Sequence, residues 1–153
     1  QMVCLTDLFA TCAQTVGTDL PTSGAEDSIS FLPSLLGKTN RTGRSSVVNH
    51  SNHGEFAYRD GSWKLVFKNS GRNREDSRGR PTIAELYNLR TDVAEEHDLS
   101  KKHPEIVQRM SKALTTLIER GGTRTDQNSS NDALVRFDTT QPERWAPERK
   151  AAE

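Results

Sequence analysis

The chain has few apolar residues for its length, and it lacks any long apolar run. Only 32% of its 153 residues are hydrophobic, and the mean hydropathy is −0.77. No stretch approaches the length of a membrane span, so we expect no membrane partner. No signal peptide is visible, which in a piece of a longer protein says nothing about the compartment of the parent. The chain opens within an apolar pattern, from Met2 to Leu5, so we expect a piece of a longer protein. So low an apolar content predicts either much irregular chain or an apolar face meant for another domain.

An excess of charge of one sign is also missing, because 21 Lys and Arg residues balance 21 Asp and Glu residues. No net field therefore attracts nucleic acid. The arginine-rich stretch 70–81 could be a nucleic-acid patch, but it has no aromatic side chains and it contains Glu75 and Asp76. We interpret this stretch as a solvated hairpin loop and expect no nucleic-acid partner.

The common catalytic motifs are absent from the sequence. It has no phosphate-loop glycine pattern and no zinc spacing of Cys and His. Cys4 and Cys12 fall on one predicted helix, too far apart to bridge, where they are best explained as small apolar residues. Ser51 beside His50 is not a nucleophile arrangement, because adjacent strand residues point to opposite faces. His50 and His53 would supply only two metal ligands, so we expect no catalytic residue and no metal site in this chain.

What the sequence does contain is a group of short alternating runs between residues 45 and 69. The first run starts at Val47 and Val48, the second alternates around Phe56 and Tyr58, and the third alternates from Trp63 onward. Alternation of β-branched and aromatic residues with polar ones predicts strands with one buried face.

Two connections between these runs carry further information. Asp60, Gly61 and Ser62 join the second and third runs, and an Asp-Gly pair in this position predicts a hairpin. The segment from Asn49 to Gly54, between the first two runs, is polar and contains two histidines. Loops at the end of a scaffold often carry ligand contacts, so we treat this segment as a candidate binding loop.

The remaining apolar segments predict one more strand and three helices. Residues 5–16 show helical spacing, with Thr6 as a candidate cap, and a short helical segment within 29–36 is interrupted by Pro33. Residues 82–89 read as a fourth strand, and an acidic turn region occupies 90–102. The longest helix begins at Pro104 and runs to the glycines at 121 and 122. Its apolar stripe is expected to cover the sheet, which gives an α+β fold, an antiparallel sheet of about four strands packed by a C-terminal helix.

Four segments in order resemble the C-terminal part of the sulfatase family, especially bacterial arylsulfatase-like enzymes. Residues 5–17 resemble the helix that returns from the catalytic domain, with Ala10 where proline is usual, and residues 20–37 resemble the stretch after it. Residues 49–65, N-H-S-N-H-G-E-F-A-Y-R-D-G-S-W-K-L, are similar to the family hairpin H-H-S-x-x-G-x-F-A-I-R-x-G-x-W-K-L, with Asn49 replacing the first histidine. Residues 85–99, E-L-Y-N-L-R-T-D-V-A-E-E-H-D-L, resemble the family pattern E-L-Y-D-L-x-x-D-P-x-E-x-x-N-L, with Val93 replacing proline and Asp98 replacing asparagine. The resemblance runs over about residues 3–120.

This resemblance implies a parent enzyme with an alkaline-phosphatase-like α/β fold that hydrolyses sulfate esters. Residues 1–44 would be the return segment and linker from the missing catalytic domain, 45–122 the C-terminal subdomain, and 123–153 a polar tail. Calcium and a formylglycine, matured from C/S-x-P/A-x-R, are implied for the parent, and neither Cys4 nor Cys12 stands in that pattern. We therefore expect no cofactor in this fragment, expect it to be inactive alone, and expect an exported parent, periplasmic or extracellular.

The same resemblance implies a binding role for the histidine loop. His50 matches the second hairpin histidine, near the substrate pocket in relatives, and an imidazole there would suit an anionic sulfated substrate. Asn49 and His53 are weaker candidates, and a histidine that merely closes a polar loop is an equal alternative.

Two alternatives concern the partners of the fragment. The chain could be a free-standing, non-enzymatic module that binds a sulfated or otherwise anionic ligand. If it is a sulfatase piece, Leu8, Phe9, Leu32 and Leu36 would pack on the missing catalytic domain. We then expect the isolated chain to self-associate or to be partly disordered over residues 1–40.

Overall fold

A four-stranded antiparallel sheet with a helix on one face forms the centre of the molecule. The computed structural model describes residues 2–38, 43–51, 55–68 and 83–124. Its elements in chain order are α1 (Asp7–Val16), α2 (Leu32–Leu35), β1 (Ser46–His50), β2 (Phe56–Asp60), β3 (Trp63–Lys68), β4 (Ile83–Asn88) and α3 (Pro104–Arg120). The strands are arranged β1-β2-β3-β4, and each pair is antiparallel. This arrangement confirms the predicted α+β fold.

The hairpin between β2 and β3 is present, with a small shift from the predicted turn. Asp60 pairs with Trp63, so the loop consists of Gly61 and Ser62 alone. Gly61 has a φ of 58°, which a two-residue hairpin of the II′ kind requires at its first loop position. Asp60 therefore ends the strand and does not form part of the loop.

The core lies between one sheet face and α3. A row of apolar side chains faces across the four strands: Val48, Tyr58, Leu65 and Leu86. Met110 and Leu114, which are four residues apart and thus on one side of α3, pack against this face and are 1% and 0% exposed. The predicted packing of the long helix on the sheet is confirmed.

The ends of α3 follow the predicted signals. Pro104 occupies the first turn, where its missing N–H is not needed, and Gly121 ends the helix with a φ of 78°. His103 precedes the helix without a side-chain capping bond, and its ring lies 5.5 Å from the ring of Trp63. This histidine is therefore explained by packing on the sheet.

The outer edge of β4 is covered by the segment that precedes α3. The Leu86 N–H donates to Asp98 Oδ1 (3.0 Å), and the Leu99 N–H donates to the Leu86 carbonyl (2.8 Å). Burial alone would raise the pKa of Asp98. Hydrogen bonds from the backbone N–H groups of Leu86 and Ser100 lower this pKa by more than burial raises it, so it lies below its ordinary value. An edge strand with such a partner cannot pair with another chain at this point.

The end of α3 is joined to the segment between α1 and α2. The Thr123 N–H and hydroxyl both donate to Asp27 Oδ1 (2.9 and 3.0 Å), and the Arg124 N–H donates to the Glu26 carbonyl (2.9 Å). Gly122 lies so close that a Cβ there would be 2.8 Å from the Glu26 carbonyl oxygen. These contacts connect segments 96 residues apart in the chain.

Three expectations about the N-terminal helices are wrong. Thr6 stands at the cap position but makes no side-chain capping bond, whereas the neighbouring Asp7 Oδ2 accepts the N–H of Cys4, before the helix, at 2.8 Å. Cys4 lies before α1, so the two cysteines do not share a helix. Pro33 lies in the first turn of α2, where proline is tolerated, so it begins this helix and does not interrupt it.

Two predicted regions lie outside the described residues: the loop 70–81 and almost all of the tail 123–153. Within the part of the chain that is described, no helix combines the length and the apolar character that crossing a membrane requires.

Candidate functional site

The predicted site residues lie at the end of β1. Asn49 and His50 are the last two residues of this strand, pair with Ala57 and Phe56 in the register, and are exposed. The expectation that both belong to the connecting loop is wrong, because β1 extends two residues further than the apolar pattern. His53 lies outside the described residues.

Phe56 holds the His50 ring in place. The two ring centroids are 4.7 Å apart at an angle of 69°, which is an edge-to-face contact. Phe56 in turn packs against the core cluster. His50 is therefore exposed but supported by a side chain anchored in the core.

Asn49 and His50 occupy different faces of the sheet, because adjacent strand residues alternate. His50 shares the α3 face with Phe56, whereas Asn49 shares the other face with Arg59 and Lys64, as the register shows. Lys64 is paired with Glu95 (Nζ to Oε1, 2.6 Å), and Arg59 Nε donates to the Gly61 carbonyl (3.1 Å). A small ligand bound on one face of the sheet would thus contact only one of the two predicted residues directly.

A cavity of about 270 Å³ has Phe56 in its wall. Val48, Leu117 and Ile118 supply more of its apolar lining, and Arg44 is its main cationic group. The Arg44 guanidinium already donates to protein oxygens, so this wall suits packing better than sulfate binding. His50 does not line the cavity; it contacts Phe56 from outside.

A buried ion pair of Asp7 and Arg44 is the polar centre that sequence reasoning missed. Arg44 Nε donates to Asp7 Oδ2 (2.9 Å) and Nη2 to Oδ1 (2.5 Å), and the side chains are 3% and 2% exposed. The carboxylate also accepts the N–H groups of Cys4 (2.8 Å) and Ile29 (3.0 Å). With four hydrogen bonds from the protein, the carboxylate is used for structure and not for binding a ligand.

The electrostatics of this pair agree with its geometry. Burial alone would raise the pKa of Asp7, but the hydrogen bonds from Arg44, Ile29 and Cys4 outweigh that cost and hold the pKa below its ordinary value. The two residues are 37 positions apart, so no local pattern could reveal the contact.

The described residues do not fit the cofactors implied for the parent. Among them, no group of three or more His, Cys, Asp or Glu side chains is placed to hold a metal ion. Cys4 is followed by Leu-Thr-Asp and Cys12 by Ala-Gln-Thr, which differ from the C-x-P/A-x-R pattern of a formylglycine precursor.

Comparison with known proteins relates the chain to sulfatases. No family model matches the chain. An N-acetylgalactosamine-6-O-sulfatase of Bacteroides thetaiotaomicron is 30% identical over 118 residues, which cover 74% of this chain and 23% of that protein. The chain is homologous to part of a sulfatase. It spans about a quarter of the length of this curated relative, as expected for a C-terminal portion, and the recognition of the sulfatase family is confirmed.

Solved structures agree with the sulfatase fold. A Bacteroides thetaiotaomicron structure, from work on the metabolism of multiple glycosaminoglycans, is 28% identical with a TM-score of 0.59 over 72% of this chain and 24% of that one. A second protein of that organism, solved as a sulfatase, is 24% identical with a TM-score of 0.57 and covers 74% of this chain and 24% of its own. Another structure, in complex with D-glucosamine-2-N,6-O-disulfate, is 16% identical with a TM-score of 0.54 over 72% of this chain and 22% of that one, and it shows the fold alone.

The relatives are sulfatases, which are hydrolases, and they give no support to a free-standing binding module. No comparison bears on Asn49, His50 or His53 individually, so their roles stay predictions.

Proposed function

We propose that the chain is the C-terminal portion of an exported sulfatase, in which it supports the fold and forms one edge of the substrate pocket. The observation that carries this proposal is the homologous match, which leaves about three quarters of the relative's length without a counterpart here. That remaining part would hold the calcium ion and the formylglycine and would carry out hydrolysis of the sulfate ester. The present chain would contribute no reacting atom.

The substrate class follows from the relatives and from His50. One relative is named for a sulfated N-acetylgalactosamine, and one neighbour is bound to a disulfated glucosamine, so we propose a sulfated sugar as substrate. The exposed His50 imidazole carries an N–H that would donate to a sulfate oxygen, and hydrogen bonds to a charged group are stronger than neutral ones. Asn49 and His53 are proposed as secondary contacts.

The role of His50 is tested in the full-length enzyme with His50→Ala and, as a matched control, His97→Ala. The control removes an imidazole that is 77% exposed in the loop before α3. Loss of one hydrogen bond to a charged group should raise the KM for a sulfated sugar by about tenfold in His50→Ala, with a smaller change in kcat. His97→Ala should behave as wild type.

An unchanged KM in His50→Ala would mean that this histidine only closes the β1–β2 connection.

The assignment of hydrolysis to the remaining part of the enzyme has its own test, since the purified chain alone should not turn over a chromogenic aryl sulfate. Hydrolysis by this chain would contradict it.

A further inference from the structure

The exposed large apolar side chains are concentrated in one part of the molecule. Among the described residues, all of them except Val93 lie between Val3 and Leu36. None of the described side chains of the sheet and of α3 belongs to this exposed set, because the apolar faces of the sheet and the helix cover each other. An apolar surface confined to one segment indicates a site of contact with another body.

Helix α1 buries its more polar side and exposes its apolar side, the opposite of a usual amphipathic helix. Its buried residues are Asp7, Ala10 and Thr11, whereas Phe9 is 55% exposed. At 100° per residue, the buried residues occupy one side of the helix and the apolar residues the opposite side. We name this exposed apolar side the docking stripe; it consists of Leu8, Phe9, Cys12 and Val16 of α1, together with Leu5 two residues before the helix.

The buried side of α1 is fixed by polar contacts. The Ser28 hydroxyl accepts the Ala10 N–H (2.9 Å) and donates to the Thr6 carbonyl (2.6 Å), and Thr11 Oγ1 accepts the Phe31 N–H (3.2 Å). Together with the ion pair of Asp7 and Arg44, these bonds hold the helix in one orientation. The docking stripe is thereby pre-organised to face outward.

The chemistry of the stripe fits a permanent partner. The only charged side chain of α1 is Asp7, which is buried on the other side, so the helix exposes no charge beside the stripe. Permanent interfaces are more apolar than transient ones, and their centres are depleted of charged residues.

We propose that the docking stripe packs against the catalytic portion of the same sulfatase chain. This inference rests on the proposed function, since the partner is the part of the relative that has no counterpart here. A partner linked directly to the start of α1 would be held beside the stripe at a high effective concentration, which favours it over a second copy.

The test uses the full-length protein with a protease site introduced just before residue 2, cut after folding. The substitutions are Leu8→Ser and Phe9→Ser, with Val93→Ser as the matched control, because Val93 is an 81% exposed apolar residue outside the stripe. After cleavage, the two parts of wild type and of Val93→Ser should co-elute in size exclusion. Each stripe variant should weaken their association by about tenfold or more.

The isolated chain provides the folding control. Leu8 and Phe9 are exposed there, so neither substitution should shift its urea midpoint; a lowered midpoint would make them core residues and overturn the proposal. Unchanged association in both stripe variants would also overturn it. So would a full-length dimer that Phe9→Ser converts to monomers while the cleaved parts stay together, since the occupant would then be a second copy.

Sulfate release is measured separately on the same samples. Parts that associate through the stripe without any sulfatase activity would leave the docking proposal standing and remove the proposed function. Sulfatase activity together with association that the stripe substitutions leave unchanged would remove the docking proposal and leave the proposed function standing.

Discussion

At the scale of single residues, the buried pair of Asp7 and Arg44 joins the N-terminal segment to the start of β1. Taking two charges out of water is costly, and only their mutual hydrogen bonds and those of neighbouring backbone groups offset that cost. Arg44 also donates to the carbonyls of Asp27 and Ser46, so one side chain joins α1, the following segment and β1. Loss of one partner would leave the other as an isolated charge in the interior.

We therefore expect Arg44→Met to lower the free energy of unfolding by about 3–5 kcal/mol at neutral pH, because the Asp7 carboxylate loses its counter-ion. Urea unfolding measures this loss. Lys68→Met is the control, since it breaks the ion pair with Glu85 in which the lysine is 48% exposed; such pairs contribute about 1 kcal/mol or less. Equal losses in the two variants would show that the buried pair has no special role.

The lowered pKa of Asp7 predicts an acid sensitivity. A carboxyl group with a lower pKa in the folded state stabilises the fold fully above its ordinary value of 3.8, and this contribution is lost as the pH falls from there through the folded-state pKa. Urea unfolding from pH 7 to pH 2 should show this loss.

The double variant Asp7→Asn with Arg44→Met, which removes both charges, should lose less stability over the same pH range. Part of the loss should remain, because the pKa of Asp98 is lowered as well. An identical acid profile in the double variant would contradict the assignment to Asp7.

At the scale of elements, the sequence predicted which segments are helices and strands better than it predicted what they contact. Periodicity identified β2, β3 and α3 because their apolar faces are covered by this same chain. In α1 the same periodicity located the stripe that includes Phe9, but the side it buries here is the polar one. A pattern shows where apolar residues lie and carries no information on whether their partner belongs to the chain.

The candidate site shows the same limit. The family pattern singled out His50 without revealing that it lies within β1 or that Phe56 supports its ring. Asp7 and Arg44 could not be paired from the sequence, because the fold alone brings them together.

The packing of α3 on the sheet predicts a sharp contrast between two leucines. Leu114 is 0% exposed, so Leu114→Ala should cost about 2–5 kcal/mol in free energy of unfolding through the cavity it leaves. Leu36 is 61% exposed, and Leu36→Ala should change stability by about 0.5 kcal/mol or less. Chemical unfolding of the two variants measures this difference, and similar losses would contradict the location of the core.

At the scale of the whole molecule, the chain combines a complete core with an incomplete surface. The core around Leu65 and Leu114 is closed within the described residues, whereas the docking stripe has nothing to cover it there. This combination fits a chain that matches about a quarter of its sulfatase relative.

The isolated chain should therefore associate with itself at high concentration, since the stripe then covers apolar surface on a second copy. Sedimentation velocity over a range of concentrations should show oligomers that Phe9→Ser reduces and Val93→Ser does not. A monomer at every concentration would contradict this expectation.

The contacts of Thr123 and Arg124 with residues 26 and 27 have a mechanical consequence. They join the C-terminal end of α3 to the segment between α1 and α2, so hydrogen bonds close a loop of chain between residues 27 and 123. Tension applied at residues 27 and 123 would therefore first load this short set of hydrogen bonds. Only after its rupture would the pull reach the strands.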